Sequence, residues 1–338
     1  MSVTIKDIAK LAGVSHTTVS RALNDSPLIS ESTKTKIKTI AESLNYTPNY
    51  SARSLVLDRS YNIGLFFSTI NEGTSSSFFY EVVKGVNNVV HNRFKLIVSG
   101  IDEYADFNAI NKKQFDGIII MSQSTKDDHF IYNVIDKNIP LVVLNREIQD
   151  AQVINIISDD RSGVQNAVEY LISEGHRNIA LIEGKEGFKS TYERKEGYMK
   201  ALINHNIPIH KDYMVEGKYD MESGYWSMKQ LLNHTNVPTA VFCSNDDMAV
   251  GAIKAIVEEG LKVPEDISII GFDDNVFSSF LSPALTTVKK PIEDISIMGT
   301  TKLLKLIAGE NLERETIYVP TELKIRETIK SCPFKCTR

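Results

Sequence analysis

His16, Thr17, Ser20 and Arg21 share the outward face of a short helix expected from about Ser15 to Leu23. An imidazole, two hydroxyls and a guanidinium on one exposed stripe suit hydrogen bonding to base edges in a groove wide enough to admit a helix. Arg21 is the best fitted for a bidentate pair with a guanine.

A second set of polar groups stands at the ends of short apolar runs. It comprises Ser68, Ser122, Asn145-Arg146, Glu183-Gly184, Ser244-Asn245-Asp246 and Phe272-Asp273-Asp274, with Phe78, Phe79 and Tyr219 nearby. Carboxylates and amides take paired hydroxyls, and flat rings cover a C–H face, so the mixture suits a sugar. Asn245 and Asp273 are expected to touch a ligand. Asp247 and Asp274 serve equally well as caps of the helices that follow.

The elements that must position these groups follow from periodicity. Ala9, Gly13 and Val19 fit two short helices crossing steeply. Ala9 permits close approach, and Gly13 occupies a turn where a side chain would clash or a positive φ is needed. Ile8, Val14, Val19 and Leu23 supply the apolar face, and Thr35 to Leu44 reads as a third amphipathic helix. From Tyr61 onward, strand-sized runs alternate with helices. Asn62–Phe67, Phe94–Val98, Gly117–Met121 and Leu141–Leu144 form one series of strands. Ile179–Ile182, Met214–Glu216, Ala240–Cys243 and Ile267–Gly271 form another. Two such series predict two doubly wound parallel-sheet subdomains, with ligand beyond the carboxyl ends of the strands.

Charge separates the two regions. Residues 1–60 carry eight basic and five acidic side chains, a local +3 in a chain whose net charge is −5. A basic N-terminal module on an acidic body suits a protein that grips phosphate with one end. The excess is small, so two modules in a dimer are expected. At 338 residues the chain is too long for one ordinary core. The start MSVTIKDIAK has no apolar h-region, and no run approaches a membrane span, so a cytoplasmic location is expected. Three cysteines argue against a disulfide framework, and Cys332 and Cys336 read as part of a loose tail at 331–338. Neither a metal site nor a cofactor is expected. No Walker loop, GxGxxG or nucleophile elbow is present, and adjacent carboxylates such as Asp159-Asp160 are no sign of acid–base work, so an enzyme is not expected.

VTIKDIAKLAGVSHTTVSRALN followed by NYTPNYSARSL resembles the LacI/GalR family of bacterial transcription regulators. The likeness continues through SSSFFYEVVKGV, YERKEGYMKAL, KYDMESGYWSM, CSNDDMAVGAIKA and IIGFDDNVFSSFLSPALTTV. It implies a helix-turn-helix headpiece (1–47), a hinge helix and linker (48–60) and a periplasmic-binding-protein-type body (61–330). The body would comprise an N-subdomain (about 61–159 and 290–320) and a C-subdomain (about 160–289 and 321–330). The chain would cross between them near Ile157 to Asp160, Thr287 to Pro291 and Tyr318 to Glu322. The resemblance assigns effector contact to Phe78, Phe79, Asn145, Arg194, Tyr219, Asn245 and Asp273, with Arg194 as the clamp.

On the DNA side the resemblance implies phosphate contacts from Thr4, Ser15, Asn24, Ser30, Thr33, Tyr46 and Asn49, beside the base-reading His16, Thr17, Ser20 and Arg21. Asn49 to Leu55, with Ala52 between, would form a minor-groove helix, and Leu55 would wedge into a central base step. The implied protein is a homodimeric regulator, most often a repressor. It would bind a pseudo-palindromic operator and respond to a small sugar or sugar phosphate. Control by a phosphorylated carrier protein, known in one subgroup, is a second mode the resemblance brings with it.

Overall fold

The computed structural model describes residues 3–23, 26–44, 46, 59–70, 73–91, 93–148 and 153–332. They belong to two compact units, Met1–Arg59 and Ser60–Arg338. Asn24, Asn49, Ala52, Leu55, most of the hinge expected at 48–60, and Cys336 lie outside the described residues.

In the first unit, α1 (Ile5–Ala12), α2 (His16–Leu23) and α3 (Glu31–Ser43) enclose a small core of Ile8, Ala9, Ala12, Val19, Ala22, Ile37 and Ala41. Each helix starts at a hydroxyl residue. The Thr4 amide and hydroxyl both donate to Asp7, while Ser15 and Ser30 accept from the amides of Thr18 and Thr33. The Ser30 cap explains why α3 begins at Glu31, ahead of its apolar stripe. Gly13 closes α1 at φ 71° with open space where a Cβ would stand. The left-handed backbone is therefore what calls for glycine there.

The second unit runs β1 (Asn62–Phe67), α4 (Ser76–Val90), β2 (Lys95–Gly100), β3 (Gly117–Met121), α5 (Asp128–Asp136), β4 (Leu141–Leu144) and β5 (Ile154–Ser158). It continues with α6 (Asp160–Ser173), β6 (Ile179–Ile182), α7 (Lys189–Asn204), β7 (Met214–Val215), α8 (Met221–Leu232), β8 (Ala240–Cys243) and α9 (Asp246–Glu258). It ends with β9 (Ser268–Asp273), β10 (Thr286–Lys289), α10 (Ile292–Ile307), β11 (Thr316–Val319) and β12 (Glu322–Lys324). Two six-stranded sheets result, ordered β11-β5-β4-β3-β1-β2 and β12-β10-β9-β8-β6-β7. Neighbouring strands are parallel except β12, which runs antiparallel to β10. The fold is mixed α/β, as the alternation predicts. Four strands, β5 and β10 to β12, are additions to that prediction. They occupy the three crossing segments, where polar residues interrupt the apolar runs.

The central strands are buried on both faces, which is why they read as continuous apolar runs. The chain passes from the first sheet to the second after β5, returns after β10 through α10, and passes again from β11 to β12. In each sheet the strand order reverses beside β1 or β6, the switch point where such sheets leave a crevice. α8 and α9 pack with backbone against backbone. A Cβ on Gly251 would drive into the Met221 carbonyl oxygen and stand 2.7 Å from the Tyr225 amide nitrogen. No helix among the described residues is long and apolar enough to cross a membrane.

Candidate functional site

The first unit presents His16, Thr17 and Arg21 as exposed side chains and Ser20 as half-buried, while Val19 and Ala22 on the opposite face are buried. Thr4, Ser15, Ser30 and Thr33 gather at helix starts, where amides and dipole favour an anion. Tyr46 packs against the small core. Not every basic residue here is available for phosphate. Lys34 is buried and pairs with Glu31 at 2.6 Å, and the Lys36 ammonium donates to the Ala12 carbonyl at 3.0 Å.

In the second unit a narrow cleft lies between the strand ends of the two sheets. Gly73, Ser75, Phe78, Gln123 and Asn145 line it from the first sheet's side. Ser190, Arg194, Tyr219, Asn245, Asp273 and Lys290 line it from the second sheet and its crossing. Six of the seven residues expected at an effector site therefore face one space. Phe79 does not line this space. Neighbouring helix positions point about 100° apart, so Phe79 turns to Phe67, 5.1 Å between ring centroids, in the core of the first sheet.

Several lining residues hold left-handed backbone, with φ of 68° at Asn145, 67° at Tyr219 and 115° at Asp273. Such conformations cost free energy and persist where the surroundings impose them, commonly at ligand sites. Asn245 supplies part of that framework. Its Oδ1 accepts from the Met248 amide at 2.9 Å, capping α9, and its Nδ2 donates to the Tyr219 carbonyl at 3.0 Å. The Tyr219 hydroxyl lies 3.0 Å from Ser190 Oγ and 2.9 Å from Thr191 Oγ1, and its ring stacks near Phe188.

The floor is a charged cluster. Arg194 donates to Asp160 Oδ2 from Nε at 2.9 Å and from Nη2 at 2.8 Å, and also to the Ser244 carbonyl. Its guanidinium lies 3.8 Å from the centroid of the Phe272 ring. Lys290 donates to Asn145 Oδ1 at 2.7 Å and lies 3.5 Å from Asp160 Oδ2. Burial alone would raise the Asp160 carboxyl, but Lys290, Arg194 and the Ser158 hydroxyl hold it below its ordinary value. Asp273 stands 3.8 Å from Arg194, and among the described residues no hydrogen bond reaches its carboxyl oxygens. Burial pushes that carboxyl upward against Arg194. Asp246, directly behind, is pushed up to about 7 by burial although Thr287, Ser278 and the Asn275 amide donate to it.

Adjacent carboxylates diverge, as chain geometry requires. Asp159 caps α6 while Asp160 meets Arg194, and Asp274 pairs with Arg326 at 2.5 Å while Asp273 faces the cavity. Asp274 is thus neither a cap nor a cavity residue.

Residues 4–49 match the description "Bacterial regulatory proteins, lacI family", and residues 168–329 match "Periplasmic binding protein-like domain". The chain is 56% identical over 328 residues to the probable HTH-type transcriptional repressor ExuR of Bacillus subtilis (strain 168), covering 97% of this chain and 98% of that protein. The chain belongs to the lacI family of bacterial regulatory proteins. A crystal structure of the lac repressor dimer bound to operator and the anti-inducer ONPF superposes on this lacI-family chain with TM-score 0.78 and 30% identity, covering 98% of this chain and all of that one. The complex of the transcriptional regulator CelR with cellobiose superposes with TM-score 0.74 and 27% identity, over 96% and 99% of the two chains. The lacI-family chain is therefore a DNA-binding transcription regulator.

Gln123, Ser190 and Lys290 in this lacI-family cavity escaped the sequence reading. Gln123 and Ser190 carry no sequence signal beyond polarity. Lys290 had one: it directly precedes Pro291 in a segment already expected to cross the cleft.

Proposed function

We propose that this regulator represses transcription from a pseudo-palindromic operator as a homodimer and that a small carbohydrate in the cavity changes its operator affinity. The cavity carries the reading. Amide, carboxyl, hydroxyl and guanidinium groups converge there with the rings of Phe78 and Tyr219, and they come from both sheets and one of the crossings. Support also comes from the lac repressor, solved with operator and anti-inducer, and from CelR, solved with cellobiose.

In this reading the headpiece is 1–47, the hinge 48–60 and the effector body 61–330. His16, Thr17, Ser20 and Arg21 read base edges, and the helix starts at Thr4, Ser15 and Ser30 hold phosphates. Effector binding sets the closure of the two subdomains. The Gln123 carbonyl already accepts from the Lys189 amide across the cleft at 2.8 Å. Closure changes the spacing of the paired headpieces, with a coupling of about 1–3 kcal/mol.

Selection of duplexes from a random pool, followed by anisotropy titrations with and without a sugar panel, tests this. A recovered palindrome whose affinity shifts with one sugar is expected. Binding without sequence preference at low salt overturns the regulatory reading, and a palindrome indifferent to every sugar overturns the carbohydrate.

A further inference from the structure

The chain enters the body at Ser60 and Tyr61, and one carboxylate holds both. Asp116 Oδ1 accepts from the Ser60 amide at 2.7 Å and from the Ser60 hydroxyl at 2.9 Å, and Asp116 Oδ2 accepts from the Tyr61 amide at 3.2 Å. Bonds from consecutive amides to both oxygens fix the direction of the chain as well as its position, and a charged acceptor makes them stronger than neutral ones. Tyr61 meanwhile holds left-handed backbone, φ 56°. A tyrosine keeps that conformation only where its surroundings impose it. Around it, the Asn62 side-chain amide donates to the Gln114 carbonyl at 2.8 Å, and the Asp116 amide donates to the Asn62 carbonyl at 3.0 Å. The Lys95 amide donates to the Tyr61 carbonyl at 2.8 Å. Asp116 is half-buried and stands at the opposite end of β3 from the cleft.

We propose that Asp116 is a positioning residue for operator binding: it sets the path by which the chain leaves the body toward the DNA-binding module and ties that path to closure of the cleft. This rests on the regulatory reading above. Asp116 immediately precedes β3, and Tyr61 immediately precedes β1. The two strands are buried and pair in parallel from Ile63 and Gly117 to Phe67 and Met121. At their far ends a second carboxylate gathers them again. Asp127 Oδ2 accepts from Ser68 Oγ at 2.5 Å and from Ser122 Oγ at 2.7 Å, and the Gln123 amide donates to Ser68 Oγ at 2.7 Å. Gln123 lines the cleft, and its carbonyl accepts from the Lys189 amide across it. A close-packed interior transmits strain rather than absorbing it. A strand pair tied by an aspartate at each end therefore carries a shift imposed at Gln123 through to Ser60.

Asp116→Asn in the full-length protein tests this. The variant is nearly isosteric and keeps an acceptor for Ser60, but it turns an amide donor toward the Tyr61 amide. The probes are the duplex recovered by selection, a scrambled duplex of equal length, and glucose, galactose, glucuronate, galacturonate and glucose 6-phosphate. By anisotropy, affinity for the selected duplex is expected to fall tenfold or more while that for the scrambled duplex stays within twofold. The change in operator affinity on adding an active sugar should shrink at least threefold, with calorimetric sugar affinity within twofold of wild type. Asp116→Glu, which keeps both oxygens, should recover part of each loss. A lower thermal midpoint with operator affinity and sugar response intact makes Asp116 merely structural and overturns the inference alone. A wild-type protein that selects no palindrome overturns the regulatory reading and the inference with it. Should none of the five sugars shift wild-type operator affinity, the selected-to-scrambled ratio in Asp116→Asn decides. If Asp116→Asn does not fold, Ser60→Ala removes one of the three bonds and should lower that ratio about threefold, and an unchanged ratio overturns the inference.

Discussion

Arg194 and Asp160 meet at a single carboxylate oxygen, to which the guanidinium donates from both Nε and Nη2 while each side chain is almost wholly buried. The pair joins α7 to the start of α6 at the first crossing, so Arg194 braces one wall of the cleft as well as lining it. Removing one member of a buried pair leaves the other without compensation, at about 3–5 kcal/mol. Arg194→Ala is therefore expected to lower the denaturant midpoint markedly as well as abolish the effector response. Asp273→Asn should behave differently. Its carboxyl has no hydrogen-bond partner among the described residues, so stability should hold while effector binding weakens tenfold or more. Chemical denaturation and calorimetry on both variants separate the two roles, and equal stability losses would contradict this assignment.

Asp246 should give stability a pH dependence of the opposite sign to a paired carboxylate. Its folded value is raised from 3.8 to about 7 by burial. Between those values the unfolded chain has released the proton and the folded chain retains it, so stability falls as pH rises and the penalty is complete above about 7. Asp160 works the other way. Its folded value is depressed, so its contribution is present above 3.8 and is lost as pH falls through the folded value. Asp246→Asn should flatten the decline between about pH 4 and 7 in denaturant midpoints. Asp246→Ala should instead destabilise at every pH, by about 1–3 kcal/mol for each buried donor among Thr287, Ser278 and the Asn275 amide left unpaired.

What the sequence disclosed follows from how local each signal is. The central strands are apolar runs such as Gly117–Met121, and their ends could be read directly. β10 to β12 were invisible as strands, because TTVK, TIYV and ELK owe their pairing to distant neighbours. Asn245 and Asp273 were legible as strand-end polar groups. The dual duty of Asn245, capping α9 while pinning Tyr219, was not, since it depends on two loops brought together by the packing of α8 on α9. Lys290 was overlooked for the same reason: its significance comes from Asn145 and Asp160, both far from it in the chain.

Two glycines should respond to alanine for different reasons. At Gly13 the cost is backbone conformation alone, since nothing stands within 4 Å of a Cβ. Gly13→Ala should cost about 1–2 kcal/mol, and Gly13→Asn should recover part of it, because Asn tolerates left-handed backbone. At Gly251 the obstacle is the backbone of α8. Gly251→Ala should cost about 3 kcal/mol or more, at the upper end of overpacking effects. It should also weaken effector binding, because α8 and α9 begin just after Tyr219 and at Asn245. Denaturation of the full chain, with calorimetry on Gly251→Ala, checks both.

Arg21 offers the cleanest separation of recognition from folding. It is exposed on α2, opposite the buried Val19 and Ala22, so Arg21→Ala should leave the thermal midpoint nearly unchanged. A bidentate arginine–guanine pair discriminates by about 1–3 kcal/mol. Its loss should therefore weaken operator binding at least several-fold per half-site and relax preference at one base position, leaving calorimetric effector binding intact. A variant of Arg21 that lowers affinity uniformly, with the base preference retained, would make it a phosphate contact and move base reading to His16 and Thr17.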